Sequence, residues 1–206
     1  MHDIYEALKQ FKEKDYLRNQ ELYETLSQTQ TPHTLFIGCS DSRVSPERLL
    51  QAYPGEVFHI RNIANIVPPA GQSVKYASTT SAIEYAVEVL NVKNIIVCGH
   101  SNCGGCAASI HPPSNIDKLP YTSIWISQIN ALRDRIASEM EDASIEEQAT
   151  QLEKINVVQQ LANLLTFDNI RERVTSGQLT LNGWHYNIGV GEISIYNQTK
   201  EMFEVF

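Results

Sequence analysis

The sequence predicts an α/β fold: a mainly parallel four-stranded sheet with an antiparallel fifth edge strand, helices on both faces and an N-terminal helical arm. Three observations lead there. Short apolar runs rich in β-branched residues, bounded by small residues, alternate with stretches of helical spacing, the pattern of β-α-β units. Two of these runs break abruptly into polar residues, Cys39-Ser40-Asp41-Ser42-Arg43 and, about sixty residues later, Gly99-His100-Ser101-Asn102-Cys103-Gly104-Gly105. Near the end, two further runs flank Gly189-Val190-Gly191, which reads as a hairpin.

In chain order, residues 2–27 read as a helix, with Ile4, Leu8, Phe11, Tyr16, Leu22 and Leu26 near helical spacing. Such a stripe is either an ordinary core face or an arm that packs on a second subunit. Gln30-Thr31-Pro32 ends it. Strand one is 34–38, and Pro46 opens a short helix through Gln51, where its missing N–H costs nothing. Pro54-Gly55 is a turn, Val57-Phe58-His59-Ile60 strand two, and 65–75 a loop. Ile83, Ala86, Val87 and Leu90 share one stripe of a helix over 79–90. Strand three is 94–98, and a helix starts near Gly104 with its positive dipole end toward the preceding loop. His111-Pro112-Pro113-Ser114 stops that helix. Two or three helices fill 122–173, and Gly177 closes the last. Runs over 179–188 and 192–196 complete the sheet. One domain is expected over 1–206: a helical dimerisation arm (1–30), a core carrying the site (31–110), a helical region (111–175) and a C-terminal hairpin (176–206).

Composition narrows the partners. The chain has 206 residues, 42% hydrophobic and 19% charged, ordinary for a globular protein. The net charge of -8 and the lack of a basic run argue against nucleic acid. No apolar stretch approaches the ~18 residues of a membrane span, and the acidic, polar start does not resemble a signal peptide. Three of the four cysteines fall within nine residues, which suits metal or thiol chemistry in a reducing compartment better than a disulfide frame. The expected location is cytoplasmic.

If strands one and three lie side by side and parallel, their carboxyl ends share the edge where ligand sites form in open α/β sheets. Cys39, His100 and Cys103 then converge as three zinc donors, leaving a fourth tetrahedral position for water. Two thiolates cancel the formal charge of the ion, so the bound water ionises at a somewhat higher pH than beside neutral imidazoles, and activity rises on the alkaline side. Arg43 offers a fork matched to the Asp41 carboxylate. Paired with Arg43, Asp41 stays ionised and can accept a hydrogen bond from zinc hydroxide; turned to the metal instead, it would close the site. Cys106 could complete a closed site of three cysteines and one histidine. Cys103-Gly-Gly-Cys106 also fits a redox pattern, although a thioredoxin-like fold would place it after the first strand. Cys98 is expected in the core, and His2, His33, His59, His111 and His185 lack ligand spacing and read as surface or structural.

Taken together, Cys39-Ser-Asp-Ser-Arg43 and His100-Ser-Asn-Cys103-Gly-Gly resemble the signature of the β-class carbonic anhydrases. Pro54-Gly-Glu, Arg61-Asn-Ile-Ala-Asn65 and Ser81-Ala-Ile-Glu-Tyr-Ala86 fit the same family in order and spacing. The resemblance is dense over 28–110. It implies reversible hydration of CO2 to bicarbonate by zinc-bound hydroxide, with one zinc per chain on Cys39, His100 and Cys103 and with Asp41 and Arg43 as the gating pair. It further implies a substrate pocket of Gln30, Phe58, Ile63 and Tyr85 beside Gly104, with Ile63 where the family often has Val. The partners it implies are CO2 or bicarbonate and a second copy of the chain, as a dimer or larger, with no nucleic acid and no membrane. Phe36 stands where bicarbonate-regulated members carry Trp. With Gln30 and Val67-Pro-Pro69, it resembles the accessible, plant-like branch. Hydrolysis of another small cumulene such as CS2, or a noncatalytic zinc-stabilised assembly, are the alternatives.

Overall fold

A computed structural model describes residues 3–206 as two compact units, one ending at Thr31 and one spanning Pro32–Phe206. The first unit is helical, as expected, but its helix is broken. Helix α1 (Ile4–Gln10) is capped by the Asp3 carboxylate, which accepts from the Tyr5 N–H at 2.9 Å. A wider-wound turn follows over Phe11–Tyr16, and α2 (Gln20–Leu26) restarts after a turn at 17–19. The Asn19 side chain ends the first segment by donating to the Asp15 carbonyl at 3.1 Å. Tyr23 stacks on Tyr16 (5.2 Å) and meets Phe11 edge-on (5.8 Å). No residue of these helices is buried within the chain, and Ile4, Tyr5 and Leu8 are exposed. The expected helix began at residue 2, and His2 lies outside the described residues.

The second unit is built on one sheet of β1 (Thr34–Cys39), β2 (Val57–Asn62), β3 (Asn94–His100), β4 (Thr180–Asn187), β5 (Glu192–Asn197) and β6 (Met202–Val205), in the order β2-β1-β3-β4-β5-β6. The first four are mutually parallel, and β5 and β6 run antiparallel. The parallel four-strand body and antiparallel β5 agree with the sequence, but the sheet has six strands rather than the expected four plus one. The missed strand follows a turn in which Asn197 Oδ1 accepts from the Thr199 and Lys200 N–H groups, at 3.0 and 3.1 Å. Four residues carry too little alternation to signal a strand; the backbone ladder to β5 makes it one.

Alternation sorts the two faces. Leu35, Ile37, Ile95 and Val97 bury against α4 (Ala77–Glu84), α8 (Ile145–Leu164) and α9 (Asp168–Thr175). Phe36, Ile96 and Cys98 point to the other face, over Leu49 and Leu50 at the end of α3 (Pro46–Leu50). The region expected to hold two or three helices holds four: α6 (Pro120–Ile126), α7 (Asn130–Glu139), α8 and α9. Helix α8 starts in a full capping box, with Ser144 and Glu147 each satisfying the other's backbone N–H. The remaining helix, α5 (Gly104–Ile110), follows β3 directly. No helix among the described residues is long and apolar enough to cross a membrane.

Candidate active site

Strand order reverses at β1, whose chain neighbour β2 lies on one side and β3 on the other. A crevice therefore opens at the carboxyl ends of β1 and β3, the position where α/β sheets carry ligands. Both strands run further than their apolar runs. Cys39 and His100 are their last residues, because backbone pairing continues to Asn62 and Tyr186 respectively. Cys103 precedes α5 after a short turn in which Asn102 adopts φ 55.

The donor atoms of Cys39, His100 and Cys103 all lie within 4.8 Å of one another, and all three residues are buried. His100 is oriented from behind: its Nδ1–H donates to the Ser101 carbonyl at 3.0 Å. That leaves Nε2 facing the two sulfurs, buried and without a hydrogen-bond partner. The Cys103 sulfur and burial push the Cys39 thiol up to about 12, and the Cys106 sulfur does the same for Cys103. Thiols so placed ionise when a cation supplies opposing charge. Two sulfurs, one imidazole and an orphaned inward nitrogen fit a zinc ion.

Asp41 stands beside this cluster, its Oδ2 3.9 Å from His100 Nε2. Arg43 donates to it three times: the backbone N–H and Nε to Oδ1 at 3.0 and 2.9 Å, and Nη2 to Oδ2 at 2.8 Å. These bonds hold the Asp41 carboxyl well below the usual carboxylate range. Arg43 Nη2 also donates to the Asn102 carbonyl at 2.9 Å, tying the Cys39 and Cys103 loops together.

The other sequence-predicted residues are dispersed. Ile63 lies next to Asn62, which pairs with Cys39, and is partly exposed. Phe58 and Tyr85 stack on each other at 6.0 Å, but Phe58 pairs with Leu35, a further ~13 Å back along the sheet at ~3.3 Å per residue. Gly104 faces open space. Gln30 is exposed and belongs to the N-terminal unit. Cys98 is fully buried, as expected, and Cys106 lies buried beside Cys103. His33 shares a 2.7 Å hydrogen bond with Thr34 Oγ1, and His59 lies 3.3 Å from Glu47.

Sequence reasoning missed the residues that brace the site. Arg61 donates to the carbonyls of Cys39 (3.0 Å), Asp41 (2.6 Å) and Val44 (2.9 Å), clamping the loop that carries Cys39 and Asp41. Ala64 and Asn65, φ 61 and 47, form a strained left-handed turn against Cys39. Asn62 bridges that turn, exchanging hydrogen bonds with the Ile66 backbone at 2.9 and 2.8 Å, and Trp125 Nε1 donates to the Ile63 carbonyl at 2.8 Å. The signal was the Arg61-Asn-Ile-Ala-Asn65 motif itself, whose mechanical job shows only in three dimensions.

Comparison with known proteins agrees with this arrangement. Residues 34–193 match the carbonic anhydrase family. A carbonic anhydrase of Helicobacter pylori strain J99 is 38% identical over 198 residues, 95% of this chain and 90% of that one. Beta carbonic anhydrase 3 of Arabidopsis thaliana is 39% identical over 188 residues, 90% of this chain and 72% of its own. Among solved structures, the β-carbonic anhydrase CcaA superposes with a TM-score of 0.93 at 35% identity, covering 98% of both chains. A tetrameric β-carbonic anhydrase of Sordaria macrospora gives 0.79 at 32% identity, covering 93% of each. Sequence, fold and these relatives agree: this chain belongs to the carbonic anhydrases, in their β class.

Proposed function

We propose that the enzyme hydrates CO2 reversibly to bicarbonate and a proton, using one zinc ion held by Cys39, His100 and Cys103. The observation that carries the reading is the convergence of these three buried donors beside an aspartate clamped by arginine. A zinc ion in this donor set supplies Lewis acidity, which makes water a competent nucleophile near neutral pH. Asp41 acts as the hydrogen-bond acceptor that orients the nucleophile. Both of its oxygens are engaged by Arg43, which supports that role over direct ligation of the metal. Arg43 keeps the carboxylate ionised and aimed.

The substrate pocket is lined by Phe58, Ile63, Tyr85 and Gly104, apolar enough to hold a small uncharged molecule and offering bicarbonate few charge partners. The distance of the Phe58–Tyr85 pair from its own chain's cysteines supports a pocket completed by a second copy. The whole chain works as one catalytic domain whose 1–30 arm packs on a partner subunit. The lack of buried residues among the arm's described residues supports this, as does the tetramer described for the Sordaria relative. Phe36, a residue of β1 standing where bicarbonate-regulated members carry Trp, supports membership of the accessible rather than the bicarbonate-regulated branch. A cytoplasmic location fits the free cysteines.

The test is stopped-flow CO2 hydration by metal-quantified protein across about pH 6.5 to 9, a range that straddles the ionisation of water activated by zinc. Activity rising through one ionisation, with about one zinc per chain, supports the reading. No hydration at any pH by zinc-loaded protein overturns it in favour of another cumulene substrate or a noncatalytic metal site.

A further inference from the structure

The face of α8 turned toward the active site is polar where a core helix would be apolar. Glu153, Asn156 and Gln160 are 3%, 0% and 1% exposed, and with half-buried Asn163 they form one stripe at helical spacing. The helix lies close to the sheet because two strand positions lack side chains. A Cβ on Gly99 would lie 2.7 Å from Val157 and 3.2 Å from the Glu153 carbonyl, and one on Gly183 would lie 2.9 Å from Leu161.

Buried polar groups are costly unless partnered. Here the partners are mainly backbone groups of Cys103 and of the Ala64–Val67 turn. Glu153 Oε1 accepts from the Cys103 N–H at 2.9 Å, while Oε2 lies 3.1 Å from His185 Nε2, so His185 is a buried partner of Glu153. Asn156 donates to the Ala64 carbonyl at 2.8 Å. Gln160 accepts from the Val67 N–H at 2.9 Å and donates to Asn156 at 2.7 Å. Asn163 donates to the Val67 carbonyl at 2.8 Å. Ala64 opens the strained turn, and its amide faces the Cys39 sulfur.

We propose that the polar stripe of α8 positions both cysteine donors: Glu153 fixes the Cys103 backbone, and Asn156 with Gln160 fixes the Ala64–Val67 turn against Cys39. These are positioning residues, since none of them is a metal donor, and the proposal rests on the zinc reading above. Partners that orient metal ligands typically carry about 10- to 100-fold in affinity or activity.

The experiment measures zinc transfer from the folded holoenzyme to a competing chelator, well below the unfolding temperature, together with kcat and KM. Glu153→Gln keeps the volume but removes the carboxylate charge that the Cys103 N–H and His185 Nε2 face. It should release zinc about 10-fold more readily and lower kcat with KM little changed. Cobalt-substituted protein should show an altered thiolate-to-metal absorption band. Leu164→Ala, which opens a cavity in the same helix without removing any of these hydrogen bonds, should change none of these readouts. Glu153→Gln matching the wild type in zinc transfer, or Leu164→Ala shifting it equally, overturns the proposal. If Glu153→Gln does not accumulate as folded protein, Gln160→Leu replaces it, with the same expected shift and the same refutation. A wild type that neither binds zinc nor hydrates CO2 would instead remove the functional reading on which the proposal stands.

Discussion

Replacing Arg61 by lysine tests whether the ligand loop is held by a clamp or by the metal alone. The guanidinium satisfies three backbone carbonyls from one planar fork, at 3.0, 2.6 and 2.9 Å. A lysine ammonium is a point donor on a flexible stem and reaches one of them well. Two hydrogen bonds are then lost, each worth about 0.5–1.5 kcal/mol net, and the bond to Asp41 belongs at the low end because it is exposed to solvent. The expected cost is about 1–2 kcal/mol, which for a chain of this size lowers Tm by about 2–8 °C. The released carbonyls belong to the loop bearing Cys39 and Asp41, so hydration should also fall, by about 10-fold, with zinc retained. Thermal unfolding of the holoenzyme and stopped-flow hydration read both effects. An Arg61→Lys protein with unchanged Tm and turnover would falsify the clamp.

Asp41→Asn should keep its zinc and lose at least about 100-fold in turnover, because an amide NH2 must face either Arg43 or the nucleophile; full activity would remove its assigned role. Cys106→Ser should retain both zinc and hydration to within a few-fold, whereas loss of activity with zinc in place would restore the thiol-redox reading. Stripping the metal with a chelator should abolish hydration and lower Tm, and one equivalent of zinc should restore both; activity that survives complete removal refutes the zinc reading. Ser144→Ala should cost about 1 kcal/mol in urea unfolding without touching turnover, since it removes the cap of α8. Its partner Glu147 has a folded-state pKa lowered first by the Ser144 hydroxyl, then by the Ser144 backbone N–H. The Glu147 contribution is therefore complete above the ordinary carboxylate range and is lost as pH falls through its folded pKa. Urea midpoints of wild type and Glu147→Gln should accordingly converge in acid, and a gap that widens there would contradict the cap.

The parallel body of the sheet and the convergence of Cys39, His100 and Cys103 were legible from the amino-acid order alone. Both are local signals: β-branched runs ending in small residues mark strands, and cysteine or histidine directly after such runs falls at the carboxyl edge whatever the details of packing. The Asp41–Arg43 pair was legible for the same reason, being two residues apart on one loop. What only the tertiary structure decided depends on partners distant in the chain. The break after α1 and the four-residue β6 lack periodicity and exist through specific hydrogen bonds. Phe58 and Tyr85 stack on each other, but the pleated rise along β2 sets that pair far from the cysteines of the same chain. Glu153, Asn156 and Gln160 look like surface residues in the sequence, because polar side chains usually stay in water. They act inside because strained loops at the sheet edge leave backbone groups that water cannot reach, and a helix held close by Gly99 and Gly183 is the element near enough to satisfy them.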